Sequence, residues 1–192
     1  YSISISEDYQ RTTADDMQVF PRLNAKPEAA KVLVIETGEL KLKFKQNKDS
    51  VWVAEDKFKY PASSKLIQKV ISQLADMRKI AAKTRMPSRF KQIGVEPHQQ
   101  ADANSVFVKL QAGDGEILAE SILGAQFRRN NIGVAEGTFI RHPKEQQAWL
   151  ASGSIDIPSD LLSWLDTRIL NIESNKIKKI KLWDKLGRTA VV

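Results

Sequence analysis

The side chains best suited to recognition chemistry sit in Phe127-Arg128-Arg129-Asn130-Asn131, two guanidiniums and two carboxamides shortly before Gly133. Guanidiniums grip carboxylates and phosphates through paired N–H donors, and amides hydrogen-bond sugar hydroxyls. Arg128, Arg129, Asn130 and Asn131 therefore form one candidate interaction surface. A second lies in the tail, where KIKKIKLW sets Lys178, Lys179 and Lys181 beside Trp183. Trp183 is expected to be exposed, whereas Trp52 and Trp164 have apolar neighbours and are expected in the core. The two histidines carry no catalytic signature. His98 follows Pro97 in a polar loop and is expected to be solvated, and His142 precedes Pro143 with no nucleophile motif nearby. Asp156, Asp160 and Asp166 do not have the spacing of a calcium loop; Ser159 or Asp160 is expected to cap a helix start, with Asp160 otherwise a first-turn acid facing the helix dipole. Gly113-Asp114-Gly115 is hairpin-turn chemistry, and no glycine-rich phosphate cradle occurs. No catalytic residue, metal ligand set or cofactor is assigned, and the chain is read as non-enzymatic.

Composition narrows the class. The 192 residues are 42% hydrophobic and 28% charged, enough to bury a core without staples. The chain has no cysteine, which removes disulfides, thiolate metal sites and thiol nucleophiles. A formal charge of +7 is concentrated after Ser174, where six basic residues meet one acid. Because that charge lies on one strand-like tail and not along an aromatic-lined groove, nucleic acid is not expected as a partner. No window has the roughly 20 apolar residues of a membrane-spanning helix. The sequence opens at Tyr1, and a leader, tag or anchor removed upstream of it is expected.

These candidate surfaces need a scaffold, and the hydrophobic period supplies one. KVLVIETGELKLKF alternates with period two around Thr37-Gly38, and Val51-Trp52-Val53 returns as a third strand. In SSKLIQKVISQLADM the period becomes 3.6, with Leu66, Ile67, Val70, Ile71, Leu74 and Met77 on one stripe and Ser63 as the N-cap. Pro87 starts and Gly94 stops a short helical segment that turns Phe90 and Ile93 inward. NSVFVKLQAGDGEILAESILG is a hairpin, GTFIRH and QAWLAS are two further strands, and PSDLLSWLD is predicted to be a last helix. The fold class is α+β, with mainly antiparallel sheets each covered by a helix and built from repeated β-meander-plus-helix units.

The repeat comes from setting LNAKPEAAKVLVIETGELKLKF, from Leu23, over LNIESNKIKKIKLWDKLGRTAVV, from Leu170. Both run from Leu-Asn through a polar spacer to two strands. The organisation is therefore read as a flexible segment 1–22, a βββα unit with a short helix over 23–97, a ββββα unit over 98–172, and at 173–192 the opening hairpin of a further copy.

The longer pattern is carried by VFPRLNAKPEAAKVLVI, DSVWVAEDKFKYPASSKLIQKVISQLADMRKI, TRMPSRFKQIGVEP and GTFIRHPKEQQAWLASGSIDIPSDLLSWLDTRILNI. In this order it resembles domain of unknown function 4340 (DUF 4340), roughly from Phe20 to Ile180. Trp52 ahead of Tyr60-Pro61-Ala62, Gly94 before Pro97, and Trp149 ahead of the Pro158 to Asp166 stretch are its most specific points. The resemblance implies an N-terminal membrane anchor absent from this chain and an extracytoplasmic, periplasmic body. It also implies association with ABC-type transport systems as an accessory protein. It transfers no catalytic residue, and the basic tail is not explained by it. The expected function is a non-enzymatic interaction or scaffold module of a membrane-anchored protein with protein partners in the cell envelope; the alternative is a glycan- or anionic-ligand-binding domain.

Overall fold

The computed structural model describes residues 18–100, 102–127 and 137–167, together with the backbone of 181–183 and 189–191. Nine antiparallel strands form one sheet: β1 (Ala30–Glu36), β2 (Lys41–Gln46), β3 (Trp52–Ala54), β4 (Tyr60–Pro61), β5 (Lys79–Ala82), β6 (Val106–Ala112), β7 (Ile117–Phe127), β8 (Gly137–Arg141) and β9 (Ala148–Ser152). Their spatial order is β4-β3-β2-β1-β6-β7-β8-β9-β5. The expected meander and hairpin are both present. They are joined by β1, which pairs with β2 on one side and with β6 on the other, Ile35 facing both Leu42 and Val108.

The expectation of several sheets, each with its own helix, is therefore corrected for β1 to β9, which form one continuous sheet. The physical reason is that β1 alternates cleanly on a pleat with two open edges. Its inward Leu33 and Ile35 gain burial from whichever strand extends the face on either side. Two strands escape the sequence pattern. β4 is only two residues long, and the four residues of β5 close the far edge against β9, with Ala82 facing Trp149.

Helix α1 (Pro21–Ala25) is a short turn with Leu23 buried, and α2 (Ser64–Ala75) is the main helix. Ser63 caps α2, its Oγ accepting the Leu66 N–H at 3.4 Å, as the sequence predicts. Since α2 connects β4 at one edge to β5 at the other, it crosses one face of the sheet. Ile67, Val70, Ile71 and Leu74 are pressed into the core with Leu33, Phe44, Leu110 and Leu123. Each such side chain contributes about 1.5–3 kcal/mol on full burial.

The expected helix at PSDLLSWLD is corrected to a single 3₁₀ turn, Leu162–Trp164. Trp164 is fully buried, stacks on Phe44 with centroids 5.3 Å apart, and donates its indole N–H to Pro158 O at 3.1 Å. Leu165 then turns extended to bridge with Ala62, so the chain leaves the helical path to cover the β4 edge. Asp160 caps this turn, accepting from Ser163 N and Oγ at 2.8 and 2.7 Å; those bonds hold its carboxyl below the usual range.

The opposite face of the sheet carries a smaller core of Phe90, Val95, Phe107, Ile122 and Ala148, covered by a 3₁₀ segment Pro87–Ile93. Gly94 ends that segment at φ 68°, in the left-handed region, as its position in the sequence predicts. Strands β10 (Lys181–Trp183) and β11 (Thr189–Val191) pair antiparallel as a separate two-stranded sheet.

Candidate functional site

The residues singled out for recognition fall at the margins of the described structure. Arg128, Arg129, Asn130, Asn131, Lys178 and Lys179 lie outside the described residues. Lys181 and Trp183 are described only as backbone, in β10. Phe127, the last residue of β7, sits edge-on to Phe139 with centroids 6.3 Å apart. Trp52 and Trp164 are buried, as expected.

His98 is the main surprise among the polar residues. It is buried, not solvated: its ring stacks on Phe107 at 4.6 Å, and Nε2 lies 3.3 Å from Glu36 Oε2. Glu36, at the end of β1, is also paired with Lys41 at 2.7 Å. Burial alone raises the Glu36 carboxyl, but the hydrogen bonds and charges of Lys41 and His98 outweigh it and leave the group below the usual carboxylate range. An ionised carboxylate can only accept, so His98 Nε2 is the protonated nitrogen.

Two further ionisable groups are buried beside it. Glu96 accepts the Asn104 N–H at 2.7 Å, and its own carbonyl accepts from Ser105 Oγ at 2.9 Å. Arg141 donates from Nε to Val95 O at 2.9 Å, and from Nη1 to the carbonyls of His142, Pro143 and Glu145 at 3.3, 3.3 and 2.9 Å. Its guanidinium also lies over Phe90, 4.6 Å from the ring centroid, and burial lowers its pKa. A cleft of about 450 Å³ opens over this cluster, between Pro87, Pro97, Gln100 and Pro143. Hydrogen bonds of Arg141, Glu96 and His98 tie the chain after Val95 and the β8–β9 turn to the sheet, while Glu96 Oε2 and His98 Nδ1 are buried without a hydrogen-bond partner. Chemically it is an internal latch.

The other face carries a cleft of about 420 Å³ between the segment 19–22, β5, β7 and β9. Trp149 forms a half-exposed wall, with the Lys79 ammonium 4.8 Å from its ring centroid. His142 Nε2 is 3.7 Å from Glu120 Oε2, and the other oxygen of that carboxylate, Oε1, is 3.8 Å from Lys109 Nζ. The nearby hydroxyl of Ser121 is buried and donates to the Ile122 and Arg141 carbonyls, not to His142. Among the described residues no three His, Asp or Glu side chains gather as a metal site.

The family described as Domain of unknown function (DUF4340) matches residues 52–191, which include β3 to β11 and both clefts' main walls. The chain belongs to the DUF4340 family. No curated protein and no solved structure matches it. The DUF4340 match begins at Trp52, whereas β1, in the middle of the sheet, lies before it.

One surface of this DUF4340 chain presents apolar side chains outward. At the β3–β4 edge, Phe58 is fully exposed and Tyr60, the first residue of β4, is exposed next to it, while Val51 is exposed at the other end of β3. Among the described residues, the non-glycine residues with positive φ are Ser50, Phe58 and Lys59, at 61°, 53° and 56°, all in the turns flanking β3. A bulky aromatic in the left-handed region is strained, and such strain persists where the surroundings impose it. Lys43 anchors the turn through Glu55 at 2.6 Å, and charges on Lys45 and Lys59 join it in lowering the Glu55 carboxyl. The turn is thus fixed from below while Phe58 faces solvent. No local periodicity in EDKFKYPA signals this.

Proposed function

We propose that this DUF4340 chain is a non-enzymatic interaction module. In this reading it is the extracytoplasmic, periplasmic body of a membrane-anchored protein, serves as an accessory to an ABC-type transport system, and docks protein partners of the cell envelope. The observation that carries the docking role is Phe58, held fully exposed on a left-handed backbone next to Tyr60. Exposed aromatics contribute large contact area for little side-chain entropy, which is why they anchor interfaces. Lys57 and Lys59 flank it and favour an acidic partner surface. The Arg128 to Asn131 loop and the Lys178, Lys179, Lys181 and Trp183 tail are proposed as secondary contacts.

The non-enzymatic reading is supported by the engagement of the polar groups: His98 and Arg141 are tied to internal partners, and the Ser121 hydroxyl to two carbonyls. The internal repeat is proposed as well. Aligning Leu23 with Leu170 sets Glu36, the last residue of β1, opposite Trp183, the last of β10. In both hairpins the return strand follows closely, at Lys41 and at Thr189.

Location is tested by fusing alkaline phosphatase after Thr167 in the full-length protein, because that enzyme matures only outside the reducing cytoplasm. An active fusion is expected. An inactive phosphatase with a fluorescent cytoplasmic fusion at the same site would overturn the extracytoplasmic assignment.

A further inference from the structure

We propose that the Trp149 cleft is a binding site for a small aliphatic carboxylate, independent of the docking role of Phe58. Its wall is apolar: half-exposed Trp149 and Val19 and exposed Ile117 stand above Phe20, Leu118 and Ile140. Two cations line the same space, Lys79 and Lys144, and neither has a carboxylate within 4 Å among the described residues. The other basic side chains there already have neighbours, Arg22 with Glu116 at 3.5 Å and His142 with Glu120 at 3.7 Å. Among the described residues, Glu145 is the one lining acid without an ion pair, so the uncompensated balance of Lys79, Lys144 and Glu145 is positive.

The cation over Trp149 is held in place by the ring, so an incoming anion meets a charge whose side-chain freedom is already reduced. The ligand's two halves follow from the two halves of the cleft. A carboxylate pairs with Lys79 and Lys144 at the mouth. An aliphatic body lies along Trp149 and Ile117, where removing apolar surface from water is favourable at about 25 cal/mol per Å². Phosphate alone lacks such a body, and the arginine lining the cleft is already paired. A volume of about 420 Å³ is in the range of small-molecule sites.

The test uses the whole chain and sodium decanoate below its micelle-forming concentration, followed through the Trp149 indole N–H resonance, assigned with Trp149→Phe. Saturable movement of that resonance is expected. Sodium acetate supplies the charge without the body and 1-decanol the body without the charge. Each is expected to bind at least about tenfold more weakly, a difference of about 1.4 kcal/mol. A Lys79→Gln/Lys144→Gln variant is expected to lose about tenfold in decanoate affinity with an unchanged melting curve. Equal binding of decanol and decanoate, unchanged affinity in the double variant, or no saturable shift would each overturn the proposal.

Discussion

Arg141 holds two loops to one strand end, and its removal should be felt on the whole of the smaller core. Its guanidinium is buried and serves the carbonyls of Val95, His142, Pro143 and Glu145 while lying on Phe90. Arg141→Met keeps much of the volume but leaves those acceptors without their donor, and is expected to destabilise by about 2–4 kcal/mol. A lower urea midpoint at unchanged slope is the readout. At Glu36 the expected effect depends on pH. Its carboxyl is depressed in the folded protein, so its contribution is present above the ordinary carboxylate range and is lost as pH falls through the folded value. Melting temperatures from about pH 6 to about pH 3 should therefore fall more steeply for the native chain than for Glu36→Gln. Little of this was legible beforehand. Pro97-His98-Gln99-Gln100 looks solvated because its partners, Glu36 and Phe107, are supplied by two strands that no local pattern links to that loop.

Among the elements, legibility followed locality. Helix α2 announces itself by its stripe and by Ser63, and the Pro87–Ile93 segment by Pro87 and Gly94, because caps and periodicity are written into adjacent residues. Ser63→Ala is expected to cost about 1 kcal/mol, measured as a shift in thermal midpoint. The predicted helix near Trp164 failed for a nonlocal reason: the indole plugs the space over Phe44, and Leu165 pairs with Ala62 across the molecule. Gly124 reports the same tertiary control. A Cβ there would press on Ile93 O and approach Gly94 O and Val95 Cγ1 at 2.8 and 2.7 Å. Gly124→Ala should lift the 3₁₀ segment from β7, seen as faster amide exchange across Phe90 to Val95 with smaller changes in α2.

For the whole molecule, the strands other than β4 and β5 and their local hairpin pairings were readable, and the joining of the meander to the later hairpin was not. The alternation in KVLVIE fixes which face of β1 is buried, but any strand completing that face satisfies it. The structure gives it β2 and β6 together, merging the meander with the later hairpin. It follows that the family-matched stretch is not the folding unit. A fragment starting at Trp52 lacks Leu33, Ile35, Leu42 and Phe44, which are buried in the main core. We expect it to be unfolded or aggregated by circular dichroism, while a chain starting at Gln18 folds. The docking reading belongs to this scale too, because it concerns one sheet edge offered to another protein. It is tested most directly by placing photoreactive benzoylphenylalanine at position 58 in the full-length protein in cells, with Ile80 on the opposite edge as the reference position. A discrete protein adduct in the membrane fraction from position 58, absent from position 80, is the result predicted; no adduct, or the same adducts from both positions, would contradict it.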